Sequence, residues 1–456
     1  MENMNKKWKT LLDIAIPISM QNLLMASLSA VDQIMIGKLG TIYVAGTGIG
    51  YKIPNLFVIT ITAVATSTSI IVSQYYGANN KRGMIKALKG NGIFALLLLC
   101  AFLFPSVLFS KSLINLFTQE KDVINIANSY FRIILISFLP IAVRALVSSY
   151  MRSIKKIKIV VVASIISVIT NTILNYILIF GKMGFPKLTY VGAAVATVIS
   201  IYVECIILII AFRKEITEYG FNIFVENKVD KKFFKTIRLI LVPLLVTEFL
   251  WGLGDTLYSL IYSRIGIKEM ASMALTYPIQ NACIGLFGGV SAAAAIVVGN
   301  FLGADKKEEA YDYSIWFIKL GIIGGIILGI LLAAINKLYV NLYAVDLEVR
   351  NMTYTMIIVY AFIAWIKISN MIAGGGIIRS GGETKITLYM DLLGTWVLGI
   401  PLGFICAFLL DVDLPIVYLA ISFEELVRFI ISLVVVKRKK WMMNITKEEK
   451  EMESTY

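Results

Sequence analysis

Eleven acidic or basic side chains inside stretches that are otherwise apolar are candidates for function: Asp32, Arg132, Arg144, Glu204, Glu248, Asp255, Lys367, Asp391, Glu424, Glu425 and Arg428. A charge at the centre of a membrane helix costs roughly 2.5 to 3.5 kcal/mol, so each needs a partner or a task. Glu424 and Arg428 lie four apart and can neutralise each other on one helix. Arg132, near a span end, can reach the surface along its own stem. Asp32 has no such escape, because its side chain is short and it sits well inside the first span. Counting depth along the chain puts Asn171, Asn175 and Thr197 at a similar level, with the two asparagines on one helix face. A carboxylate beside amide and hydroxyl oxygens holds a proton or a desolvated sodium ion, since hard cations take oxygen ligands. The same residues would equally form an ion-free hydrogen-bond network between helices.

Glu248 and Asp255 are seven apart, about two turns, and project from nearly the same face of one helix. They read as an acidic stripe on a cavity wall, where protonation would release a cationic substrate. Met20, Met25 and Trp251 are candidates for the adaptable apolar lining of such a cavity.

The composition removes other chemistry. The 456 residues contain no histidine, which excludes Ser-His catalysis, His-based zinc sites and His proton relays, and the chain is not expected to be an enzyme. Cys100, Cys205, Cys283 and Cys406 all lie in apolar runs without paired spacing, so neither disulfides nor a metal centre is expected. The formal charge of +14 would suggest nucleic acid in a soluble protein. Here 58% of residues are hydrophobic, and the basic residues sit in short segments between apolar stretches, so the partner is a bilayer and no nucleic acid is expected.

The elements that must position these residues are membrane helices. Apolar stretches long enough to cross about 30 Å of hydrocarbon run over 11–36, 53–76, 91–110, 130–150, 159–180 and 191–212, then 237–263, 275–300, 314–335, 353–374, 386–410 and 414–436. The fold class is therefore all-α and integral to the membrane, with twelve transmembrane helices. With the N-terminus in the cytoplasm, 29 Lys and Arg fall on the inner side, 10 on the outer and four within spans. The excess puts both termini in the cytoplasm. The expected organisation is a six-helix lobe over 1–212, a solvated cytoplasmic linker over 213–236, a second six-helix lobe over 237–440 and a short charged tail over 441–456 that frays.

The two lobes are copies. At an offset of 226, Pro17 falls on Pro243, Gly40 on Gly266, Tyr51 on Tyr277 and Gly77 on Gly303; after a one-residue slip Arg152-Ser153 falls on Arg379-Ser380. Six spans is an even number, so the repeats are parallel and related by an axis along the membrane normal, a plan common among secondary transporters. The charges are not copied: Asp32 faces Tyr258, and Glu248 faces Asn22. Unequal jobs for the two halves follow.

Taken in order, Pro17 with Asp32, TSTSIIVSQYYGANNKR ending span 2, YMRSIKKIK after span 4, NTILNYILIFGKMGFP and VGAAVAT, then PLLVTEFLWGLG, VVGNFLGADK, GGGIIRSGGETK and GTWVLGIPLG resemble the multidrug and toxic compound extrusion (MATE) transporters, of the bacterial NorM and DinF-like kind. The resemblance implies a pair of six-helix lobes, working as a monomer in the bacterial cytoplasmic (inner) membrane. It implies export of amphipathic, often cationic drugs by antiport with Na⁺ or H⁺, and no other cofactor. It assigns the coupling site to Asp32 with the positions of Asn171, Asn175 and Thr197, where Asp32 would be the ligand of any sodium ion. Relatives carry a second Asp at position 175, so this chain has one carboxylate there. Glu248 or Asp255 matches an acid that some relatives use in span 7, whereas span 10 offers Lys367 and Asn370 and no acid. The runner-up is a related lipid-linked oligosaccharide flippase, which needs a strongly cationic cavity.

Overall fold

Apolar segments of this length can satisfy their backbone N–H and C=O groups in hydrocarbon only by forming helices or closed barrels. The computed structural model describes residues 2–219, 229–343 and 345–447, and these are helical with no strand. In chain order the helices are α1 (Met4–Gly37), α2 (Thr41–Gly77), α3 (Lys81–Leu108), α4 (Lys121–Leu135), α5 (Phe138–Ser153), α6 (Ile157–Phe180), α7 (Tyr190–Tyr219), α8 (Lys231–Ile265), α9 (Ile267–Gly303), α10 (Lys307–Val340), α11 (Leu347–Ile378), α12 (Thr384–Leu409) and α13 (Leu414–Arg438). Ten are long and apolar enough to cross a membrane, and α4 with α5 make one more pass, bent by 50°. The last, α13, is long enough, but every 18-residue window of it includes Glu424, Glu425 and Arg428. The twelve predicted passes are these, with large apolar side chains such as Leu97, Phe104, Ile330 and Phe362 left exposed on them as a lipid-facing surface.

The bend in the fourth pass has a local cause. Pro140 has no N–H for the carbonyl of Ile136, one turn earlier, and that carbonyl instead accepts from the Tyr202 hydroxyl at 3.1 Å.

The chain forms two compact units. One contains residues 20–72 and 80–238, the other 1–19, 73–79 and 239–456. The first unit packs α2 on α5 through Phe57, which stacks on Phe138 with ring centroids 4.4 Å apart, and through the Ser149 hydroxyl on the Ala65 carbonyl, and on α4 where Gly46 and Gly50 meet Ile126 and Ala127. In the second unit, α8, α9, α11 and α13 surround a core of Tyr262, Met273, Met356, Tyr360, Val417 and Tyr418.

The second unit also contains a helix crossing that carries the repeat. A Cβ on Gly77 would strike the Asn300 backbone, and a Cβ on Gly303 would strike the Gln74 backbone. Gly77 and Gly303 are repeat mates, as are Gln74 and Asn300. Only glycine lets the two backbones approach this closely. Asn300 donates to the Ser73 carbonyl at 2.9 Å, while Gln74 donates to the carbonyls of Ser380 (2.8 Å) and Met443 (3.2 Å) and accepts from the Ile445 N–H (2.8 Å).

One expectation needs correction here. The tail was expected to fray from Trp441, but Trp441 is fully buried, and Met442, Asn444, Ile445 and Thr446 are buried with it. The stretch WMMNIT is more apolar than its charged neighbours and closes on Gln74, which is why it docks. The linker was expected to be a solvated connector. Its described ends are helical, because α7 runs on to Tyr219 and α8 starts at Lys231; residues 220–228 lie outside the described residues.

Candidate functional site

In the first unit, small polar side chains line one face of α6: Ser164, Ser167, Asn171 and Asn175, spaced three, four and four apart. That face covers about 16 Å at 1.5 Å per residue. Facing it on α7 are Thr197, Ser200 and Glu204, spaced three and four apart. Each α6 residue finds a partner. The Ser164 hydroxyl donates to Glu204 Oε1 at 2.8 Å and accepts from Gln21 Nε2 at 2.7 Å. Ser167 donates to the Ser200 carbonyl at 2.9 Å, and Asn171 to the Thr197 hydroxyl at 3.4 Å. The result is a continuous polar column between α6, α7 and α1.

Asp32 closes one end of the column. Asn175 Nδ2 donates to Asp32 Oδ1 at 2.5 Å and to Asn171 Oδ1 at 2.8 Å, and Asn171 and Asn175 are almost fully buried. Among the described residues Asn175 Oδ1 is buried with no hydrogen-bond partner. A buried amide oxygen beside a carboxylate, with no donor of its own, is an arrangement that a bound cation completes. The four predicted residues are thus brought together.

The other end holds Glu204. It is 3% exposed, and its second oxygen pairs with Arg144 Nη1. Beside this pair lies a chamber of about 180 Å³ lined by Gln21, Met25, Ile61, Arg144, Arg152 and Glu204 among others. The sequence flagged Arg144 and Glu204 singly and named Met25 as cavity lining; it did not flag Gln21, Ser164 or Ser200. Their only signal was the one-face spacing of four modest polar residues on α6.

The second unit gathers the remaining intramembrane charges. Arg428 pairs with Asp391 (2.8 Å), Glu424 (2.9 Å) and Glu425 (3.4 Å), as the four-residue spacing to Glu424 implies. Arg379 lies 3.7 Å from Glu248 and 3.9 Å from Asp391. Asn370 donates to Glu425 at 2.8 Å and accepts from Ser432 at 3.2 Å. Gly394 and Gly399 make room for this cluster: a Cβ on the first would collide with the Arg428 side chain, and one on the second with Tyr258 and Glu424.

The predicted substrate-facing acids separate. Glu248 is half-buried against Arg379, whereas Asp255 is exposed, and Trp251, at 58% exposure, stands on the outside of its unit. Arg132 reaches Ser110 at 3.2 Å, consistent with a span-end position.

Against this geometry, comparison with known proteins gives one answer. A family model described as MatE matches residues 17–177 and again 243–405, over two thirds of the chain, and the two matches start 226 residues apart at Pro17 and Pro243. A protein of Bacillus anthracis named "Probable multidrug resistance protein NorM" is 25% identical over 406 residues, covering 88% of this chain and 89% of the relative. A protein of the same name from Pasteurella multocida is also 25% identical, covering 88% and 86%. The fold is similar to solved structures described as "Crystal structure of MATE in complex with MaL6" (TM-score 0.88, 16% identity, 96% of this chain and 97% of that one) and "Outward-facing conformation of a multidrug resistance MATE family transporter of the MOP superfamily" (TM-score 0.87, 16% identity, 96% of each). A twofold match to one family model, each copy beginning at the corresponding proline, on a twelve-pass helical fold leaves a single conclusion: the chain belongs to the MatE family.

Proposed function

We propose that the protein is a secondary active exporter of amphipathic, often cationic compounds, driven by inward movement of Na⁺ or H⁺ across the bacterial cytoplasmic membrane, with both termini inside. The observation that carries this reading is the buried, partnerless oxygen of Asn175 beside the single carboxylate of Asp32. Asp32 supplies the charge, while Asn175, Asn171 and Thr197 supply neutral oxygens that replace part of a hydration shell. When the ion leaves, Asp32 falls back on the Asn175 amide. The names of the relatives from Bacillus anthracis and Pasteurella multocida support drug export as the task.

The flippase alternative requires a strongly cationic cavity. Arg144 is neutralised by Glu204, and Arg379 and Arg428 by Glu248, Asp391, Glu424 and Glu425. That balance weighs against holding a pyrophosphate. The test is purified protein in liposomes loaded with the amphipathic cation rhodamine 6G, given a sodium or a proton gradient separately. One gradient should drive dye movement, and failure of both would reject the proposal.

A further inference from the structure

The internal repeat provides a control for one arginine. Arg152 and Arg379 are repeat mates. In the second unit Arg379 stands between two carboxylates, Glu248 and Asp391. The positions that match these acids in the first unit are Asn22 and Ser164, and both are neutral. Arg152 therefore keeps the place of Arg379 and loses both counter-charges.

Among the described residues of the first unit nothing else replaces them. Arg152 makes no hydrogen bond and no ion pair among the described residues, although its side chain is half-buried and lines the 180 Å³ chamber. Glu204 is the nearby carboxylate whose charge reaches Arg152, but its two oxygens are held by Arg144 and Ser164. The chamber has two guanidiniums against one carboxylate, a net charge of +1. The rest of its wall mixes apolar side chains, among them Met25, Val58, Ile61 and Ile141, with the neutral polar groups of Gln21, Thr62 and Ser148. A half-buried guanidinium with its planar fork of donors unused by the protein suits a carboxylate or phosphate, which it grips with two parallel hydrogen bonds.

We propose that the Arg152 end of this chamber is an anion-binding site that receives the carboxylate or phosphate of an amphipathic molecule, either a transported compound or a lipid headgroup. The volume equals that of about six waters, at ~30 Å³ each. It therefore admits one charged ring or headgroup, while the rest of the molecule stays outside. The inference deepens the export reading by adding zwitterions to the substrates, and it rests on that reading only for the direction of transport.

Two dyes that differ at one group test it. Rhodamine 110 carries a free benzoate, and rhodamine 123 is its methyl ester. Binding by fluorescence anisotropy, with the protein in phosphatidylcholine nanodiscs, should favour rhodamine 110 by at least tenfold. Arg152→Gln should remove the preference by weakening rhodamine 110 alone, and Arg152→Lys, which keeps the charge and loses the fork, should give an intermediate preference. Adding phosphatidylglycerol to the nanodiscs separates the two sources: suppression of rhodamine 110 binding assigns the site to a headgroup, and unchanged binding assigns it to the transported compound. Equal binding of both dyes to the wild type, or equal weakening of both by Arg152→Gln, overturns the anion site. If the preference holds while neither dye moves in a sodium or proton gradient, the site stands and the export reading falls.

Discussion

Asp32 and Asn175 make the most exposed claim at the level of single residues. Asn175→Asp adds a second carboxylate to the site, and the added charge should tighten apparent Na⁺ affinity on the order of tenfold, because a nearby opposite charge is worth more in a partly buried site than in water. Sodium-dependent thermal stabilisation measures this, and an unchanged sodium response would remove Na⁺ from the site. At the other end of the column, Glu204→Gln leaves the half-buried Arg144 without its counter-charge and should lower stability in thermal or denaturant unfolding, with Arg144→Met/Glu204→Leu costing less than Glu204→Gln alone. Some of this was legible from the sequence. The depth match of Asp32, Asn171, Asn175 and Thr197 follows from counting along helices, a local operation. The Arg144–Glu204 pair joins residues 60 apart on helices whose rotation no local count provides, and the same is true of Arg379 with Glu248.

Elements account for the errors. Hydropathy finds the twelve passes because desolvation of the backbone leaves little choice, yet it averages over a 50° bend that a single proline produces. Tyr202→Phe removes the hydroxyl that satisfies the Ile136 carbonyl and should cost about 1 kcal/mol, read by thermal unfolding against the parent protein. The charged tail misled because its average composition hides the apolar stretch from Trp441 to Thr446. Trp441→Ala should lose about 3–5 kcal/mol in the same assay, as a large buried side chain leaves a cavity. An ion pair outside the membrane also ties this segment down: Lys447 Nζ lies 2.6 Å from Asp305, and the hydrogen bond from Lys447 holds the Asp305 carboxyl below its ordinary value. A depressed carboxyl stabilises above its unfolded pKa, and that contribution is lost as the pH falls below about 4. Limited proteolysis of the tail should therefore speed up below pH 4 and change little between pH 5 and 8; a flat profile across that acid range would show the pair to be irrelevant to docking.

The duplication governs the whole molecule. Prolines, glycines and the Gln74/Asn300 crossing are copied because both copies must build the same helix frame, whereas Asp32 and the two acids that face Arg379, Glu248 and Asp391, are not. Sequence self-comparison reveals the frame directly; it shows which charges differ but not what each now faces, and that required the structure. Orientation is a prediction at this scale. With native cysteines replaced, single cysteines at positions 82 and 156 should react with a membrane-impermeant maleimide only in inverted vesicles, and one at 121 only in right-side-out cells. The reverse pattern would place the termini outside. The central claim, that Asp32 couples the ion to the substrate, is tested most directly by comparing two modes of transport in one set of liposomes. Asp32→Asn should abolish accumulation of rhodamine 6G driven by the effective sodium or proton gradient while retaining dye-for-dye exchange without a gradient. Gradient-driven accumulation at the wild-type rate in Asp32→Asn would contradict it.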